Sequence, residues 1–297
     1  MKYSTTACLL ALSLLLIVPN AAAERPPYNR HTGLLEAPLL GLRKAAERGD
    51  RAELGRWAAR IGVARLTKAL ADPDHKLALA ALDSVPYLQD RLLMLDAVLV
   101  RCDSADAQIG ERALRTVGTL LGDADPSLLD QWEVPDEVAR HACRVLAAVA
   151  GRADRALDVR LAALQSLADA NALCAGRQDL AALVTDSSSD IRRAAVLVLS
   201  ANGARTLATL GQARKDADPG VAAAVGVALC RQQIALRAKS PTARPWRELV
   251  LAPNTPAEDA AEMLACLIDS TDPADVKVVE DLRNKGNPLL RDLPGRL

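Results

Sequence analysis

The chain has no phenylalanine, and only 3 Trp and 3 Tyr among 297 residues. β-Sheet cores lean on aromatic and β-branched side chains, so this scarcity argues against a sheet protein. A charge excess of either sign is also lacking, since 37 basic residues face 37 acidic ones. Nucleic-acid binding draws on a basic excess, so no nucleic-acid partner is expected. His31, His75 and His141 stand far apart and no Cys-x-x-Cys occurs, so no metal-ligand spacing is present. There is no Gly-x-Ser-x-Gly, no P-loop and no dinucleotide fingerprint. His141 and Cys143 are two residues apart, a spacing that puts them on different helix faces and makes no dyad. The expectation is a non-enzyme with no catalytic residue, no cofactor and no metal.

What is present is Ala, Leu and Val. Half of the chain is hydrophobic, enough for a substantial core. Ala and Leu are strong helix formers. The composition therefore reads as all-α.

The first residues read as a targeting segment. Lys2 supplies a positive start, Cys8 to Val18 an apolar run, and Pro19-Asn20 a break. Ala21-Ala22-Ala23 fits the small-x-small rule, with cleavage expected after Ala23. The apolar run is short for a bilayer span, and no later stretch reaches that length. The sequence predicts an exported protein, periplasmic or extracellular, with no transmembrane span in the mature chain. Residues 24–40, with Pro26, Pro27 and Pro38, read as an extended lead-in.

One segment keeps returning. Asp158-Val159-Arg160-Leu161-Ala162-Ala163-Leu164 reappears as Asp190-Ile191-Arg192-Arg193-Ala194-Ala195-Val196. Looser copies follow Asp72-Pro73 (His75 to Ala80) and Asp218-Pro219 (Val221 to Val225). With His75, Ile109, Val159, Ile191 and Val221 as markers, the spacings are 109−75 = 34, 159−109 = 50, 191−159 = 32 and 221−191 = 30. Three of the four fit a helix-turn-helix unit. The long one contains residues 122–135, an insertion rich in turn formers that carries Trp132. Ile191, Ala194, Ala195, Val198 and Leu199 form an apolar helical stripe. A single hairpin cannot bury such a stripe, so neighbours must stack. Asp72 and Asp218 each precede a proline and read as helix caps with Pro at the first helical position.

These residues resemble the HEAT-repeat family, in particular short HEAT-like repeats of the lyase type with an Asp-x-x-Val-Arg-x-x-Ala-Ala pattern. The resemblance covers roughly residues 60–235. It is good at Val159-Arg160 and Ile191-Arg192, and the Arg is missing at His75 and Val221-Ala222. It implies a right-handed α-solenoid over residues 41–285, a non-catalytic scaffold that holds a protein partner. It also implies that Arg160 and Arg192 pair with acidic residues of the next repeat, a structural role shared with Asp158, Asp190 and Asp218. Some similar proteins are bilin lyases or lyase subunits. An exported location and the lack of an aromatic-lined pocket argue against that reading here.

The ends are less regular. Residues 41–70 read as an N-terminal cap, with a helix from Leu42 closed by Gly49 before Asp50. Between Arg43 and Lys68 lie eight basic residues (43, 44, 48, 51, 56, 60, 65, 68) and three acidic ones (47, 50, 53). They read as a solvated helix face, or as a patch for a membrane surface. Residues 239–256 break the periodicity. Thr255-Pro256-Ala257-Glu258 reads as a capping box, Asp272-Pro273 opens the last helix, and residues 286–297 read as a loose tail.

After cleavage five cysteines remain: Cys102, Cys143, Cys174, Cys230 and Cys266. An oxidising compartment favours pairing. Cys230 lies twelve residues after Asp218, and Cys266 eleven after Thr255, so neighbouring helices would hold them at similar height. Cys143 and Cys174 fall in or near second helices of successive units. The expected pairs are Cys143–Cys174 and Cys230–Cys266, with Cys102 left over. Buried reduced thiols are the alternative.

Overall fold

The computed structural model describes residues 36–122, 136–174, 180–200, 206–235, 246–268 and 272–284. The expected signal segment 1–23 and most of the lead-in lie outside the described residues. So do 123–135, 236–245 and the tail from 285. The described helices belong to one compact unit, Ala37–Leu297. Every regular element among the described residues is helical and none is a strand.

Helix α1 (Ala37–Glu47) starts inside the expected lead-in, with Pro38 in its first turn, where a missing N–H costs no hydrogen bond. Gly49 adopts φ 66°, a left-handed value that closes α1. Asp50 then caps α2 (Arg51–Ile61) by accepting from the Glu53 amide at 2.9 Å. Gly62, at φ 76°, lets α3 (Val63–Leu70) follow directly. Next come α4 (His75–Ser84), two short 3-10 turns (Val85–Tyr87 and Arg91–Met94), α5 (Leu95–Cys102) and α6 (Ala107–Gly122). The middle holds α7 (Asp136–Gly151), α8 (Leu157–Asp169), α9 (Asn171–Cys174), a 3-10 turn (Ala181–Thr185) and α10 (Ser189–Leu199). The last part holds α11 (Leu207–Ala213), α12 (Pro219–Ala235), α13 (Arg247–Val250), α14 (Ala257–Ile268) and α15 (Pro273–Asn284).

Packing runs from neighbour to neighbour. Helix α1 lies on α4, α4 on α6, α6 on α8, α8 on α10, α10 on α12, and α12 on α14. Between them α5 packs on α6, α7 on α8 and α11 on α12. The core at these seams is aliphatic, with Leu77, Leu114, Leu164, Val196 and Val225 all fully buried. Small residues allow a close crossing of α6 and α8. A Cβ on Gly118 of α6 would lie 2.9 Å from the Ser166 Cα of α8. The buried Ser166 hydroxyl bridges that crossing, donating toward the Leu114 carbonyl at 2.8 Å and the Ala162 carbonyl at 2.7 Å.

Helix α12 is enclosed. Val221, Ala223, Ala224, Val225, Val227, Ala228 and Cys230 are all fully buried, as expected of a helix that is apolar all round. Arg193 of α10 reaches past it to Asp259 of α14, with both carboxylate oxygens at 3.0 Å.

Two details of the repeat register differ from the sequence reading. Ile109, Val159, Ile191 and Val221 each stand third in their helix and are buried, but His75 stands first in α4 and is half-exposed. The position that matches them is Leu77, which makes the first spacing 109−77 = 32. The cap of α4 is likewise Asp74, not Asp72: Asp74 Oδ1 accepts from the Lys76 and Leu77 amides at 3.0 and 3.2 Å. Asp72 instead accepts the Asp74 amide at 2.8 Å and shapes the turn before the helix. At α12 the same device is Asp216, accepting from the Asp218 amide at 2.9 Å, followed by Asp218, accepting from the Gly220 and Val221 amides at 2.8 and 3.2 Å.

Candidate functional site

Arg160 and Arg192 stand at the same position of successive units, next to the buried marker residue. That position turns each guanidinium toward the loop that opens the next unit. Arg160, itself buried, donates from Nε to the Ala150 carbonyl at 2.8 Å and from Nη2 to Asp186 Oδ2. Arg192 makes a two-pronged bond to Asp216, Nε to Oδ2 at 2.7 Å and Nη2 to Oδ1 at 2.9 Å. Its remaining Nη1 donates to the Asp186 carbonyl at 2.9 Å. The result is a polar seam, Ala150–Arg160–Asp186–Arg192–Asp216, along three consecutive loops.

The Arg160 hydrogen bond holds the Asp186 carboxyl below its usual range, aided by the Ser188 amide, while partial burial opposes this. The Arg192 hydrogen bond does the same to Asp216, and Asp216 in turn raises the Arg192 guanidinium above its ordinary value. Asp218 is a helix cap. Asp158 and Asp190 lie exposed in the first turns of α8 and α10 and cap neither helix through a side chain. A helix N-terminus favours a negative charge there. Near the C-terminus the Thr255 hydroxyl donates to the Leu249 carbonyl at 2.6 Å, tying the chain ahead of α14 back to α13.

The cysteines fall into two bridges and a leftover. Cys143 of α7 and Cys174 of α9 are joined at a Cα–Cα distance of 5.5 Å. Cys230 of α12 and Cys266 of α14 are joined at 6.1 Å. Cys102 is free and buried, and burial, with help from the Asp103 charge, pushes its thiol up to about 12.

The surface shared by the helices of the main row carries two adjoining hollows. The first, about 670 Å³, lies between α4 and α6, where Leu79 and Pro86 meet Asp83, Arg112 and Arg115. The second, about 570 Å³, has Leu161, Ala194 and Leu197 in its floor and Gln165 and Arg231 at its edge. Glu111 and Arg115 line both, so the hollows form one groove. Its arginines are each matched with a carboxylate, Arg112 with Asp83, Arg115 with Glu111 at 2.9 Å, and Arg231 with Glu262 at 2.9 Å, and Asp158 also lines it. No nucleophile and base converge in it. The groove thus has a floor of aliphatic side chains and a polar rim.

The basic N-terminal helices are partly tied internally. Arg43 pairs with Asp74 at 3.0 Å, Arg48 with Glu53, and Arg60 lies 5.4 Å over the Trp57 ring. Lys44, Arg51 and Arg56 are exposed. Among the described residues no helix is long and apolar enough to cross a membrane, and no group of three or more His, Cys, Asp and Glu could hold a metal ion.

The sequence reading did not single out the groove. A signal for it exists: two positions past the buried marker, α4 and α8 carry Leu79 and Leu161, where α6 and α10 carry Glu111 and Arg193. The seam carboxylates Asp186 and Asp216 were also missed, because only their side-chain bonds separate them from ordinary turn aspartates. No family model matches the chain, and no curated protein is significantly similar to it.

Proposed function

We propose that this chain is an exported α-solenoid of HEAT-like repeats, serving in the cell envelope as a non-catalytic scaffold that holds a protein partner along the α4–α12 groove. The order of packing supports the solenoid, since each helix of the main row packs chiefly on the next one along the row. The Arg-to-next-loop pairing of Arg160 and Arg192 supports the HEAT-like reading. The two disulfides support export, because such bonds persist in oxidising compartments.

The observation that carries the binding role is the groove. Its arginines are each neutralised by a neighbouring carboxylate, and its floor offers Leu79, Leu161 and Leu197. The fitting partner is a polypeptide segment with aliphatic side chains flanked by charges of both signs. The test uses the mature chain as bait in an envelope extract, with crosslinking. Capture of one stoichiometric protein that is lost in Leu161→Arg and kept in Val100→Arg supports the reading; Val100, on α5, is 76% exposed. Equal loss or equal retention in both variants refutes it, as does salt-sensitive binding to vesicles with no protein partner.

A further inference from the structure

We propose that the Cys230–Cys266 disulfide is a reducible clasp that governs whether α14 stays seated on α12, and so whether Arg231 and Leu197, at the C-terminal end of the groove, keep the support that α14 gives them.

Three ties join α14 to the helices before it: the disulfide to α12, the Arg193–Asp259 pair to α10, and the Arg231–Glu262 pair to α12. Beneath them lies the apolar cluster of Val227, Trp246, Met263, Leu264 and Leu267. A Cβ on Gly226 of α12 would come within 2.4 Å of Met263 Sδ and 3.3 Å of the Trp246 Cβ. The seam therefore closes only when α14 is fully seated. Arg231 sits at the edge of the groove, and Leu197 of its floor packs against this same cluster. Movement of α14 therefore reaches the groove through these two side chains.

The two bridges differ in access. Cys143, Cys174 and Cys230 are all fully buried, whereas Cys266 is only partly so. Exchange needs a thiolate to reach a disulfide sulfur. In the seated state Cys266 Sγ is the sulfur an external dithiol can attack. That attack forms a mixed disulfide and releases Cys230 as a thiolate, which takes up a proton. The second thiol of the reagent then displaces Cys266, and the reagent leaves oxidised as its own cyclic disulfide. Two electrons pass from dithiol to protein, while Cys143–Cys174 stays intact. With its covalent tie gone, α14 is held by two ion pairs and the apolar cluster. Loss of a 36-residue loop constraint raises its opening on the order of a hundredfold or more.

The mature chain is titrated with dithiothreitol, the free thiols are alkylated and mapped by mass spectrometry, and backbone hydrogen exchange is followed over α14 and α8. The expected result is a range of dithiol in which Cys230 and Cys266 are alkylated, Cys143 and Cys174 are not, and exchange rises in α14 but not in α8. Simultaneous opening of both bridges overturns the proposal. So does unchanged exchange in α14 once Cys230–Cys266 is reduced, or loss of protection across the whole chain. The double variant Cys230→Ala/Cys266→Ala, if it folds, should show the open exchange pattern without reagent. These readouts involve no partner, so the clasp and the binding role of the groove can fail separately.

Discussion

Arg160 and Asp186 meet across the seam between α8 and the loop ahead of α10, with the Ala150 carbonyl bound on the other side of the same guanidinium. Both side chains are largely buried. An arginine so placed does for the backbone what a water molecule would do in a looser joint: it satisfies a carbonyl at the end of α7 and a carboxylate two loops on.

Replacing Arg160 with Ala should therefore cost more than an exposed ion pair would. The substitution leaves a shielded carboxylate with only the Ser188 amide at 2.9 Å and takes the arginine donor from the Ala150 carbonyl. The expected loss is about 3 kcal/mol, read as a lowered urea midpoint. Arg160→Lys should recover only part of it, because an ammonium cannot span both acceptors. A loss below about 1 kcal/mol, the range of a surface pair, would contradict the buried role.

Acid should release the seam. Asp186 and Asp216 have folded values depressed chiefly by their hydrogen bonds to Arg160 and Arg192. A depressed carboxyl contributes stability that is complete above its unfolded value, near 4, and is lost as pH falls through the lower folded value. Stability of the native protein should thus drop below about pH 4. The drop should be shallower in Arg160→Ala and Arg192→Ala, which no longer hold those carboxyls down. Urea midpoints taken from pH 6 to pH 2 check this, and parallel curves would count against it.

Gly118→Ala tests the close crossing of α6 and α8. Alanine gains roughly 1 kcal/mol of helix propensity over glycine. Its Cβ, however, would press on the Ser166 backbone at 2.9 Å, which cannot swing aside. Overpacking of this kind costs about 1–3 kcal/mol, and the backbone contact puts it at the upper end. The net expectation is destabilisation of about 1–2 kcal/mol. A raised melting temperature would show that α6 and α8 can separate freely.

Thiol counting checks the cysteine arrangement. A chain that begins at Glu24, past the expected signal segment and so without Cys8, should show one reactive thiol in denaturant without reductant and five after reduction. In the native state at pH 8 the remaining thiol, Cys102, should stay silent toward a thiol reagent. It is buried and its value of about 12 leaves almost no thiolate. Five thiols without reductant would exclude both bridges.

Much of this architecture was legible in the sequence because helix signals are local. The Asp158 and Asp190 copies, Gly49 before Asp50 and the cap at Asp218 rest on spacings within a dozen residues, and the aromatic-poor composition needs no spacing at all. The cap at α4 was misplaced by two because Asp72-Pro73 and Asp218-Pro219 look alike locally. What tells them apart is that Asp72 is the counterpart of Asp216, with its carboxylate turned to the amide two residues on. The marker shifted with it, from Leu77 to His75.

The sequence by itself determined the helices, their order and which faces are apolar, because each of those follows from a few neighbouring side chains and the period of the helix. Only the tertiary structure decided that Arg160 finds Asp186, that Leu79 and Leu161 line one groove, and that Arg193 reaches Asp259. Those pairs are 26, 82 and 66 residues apart. Nothing local selects one carboxylate or one leucine over another at such distances. The choice is made by how closely successive helices can approach, and that is set by the volumes of side chains contributed from both sides of every seam.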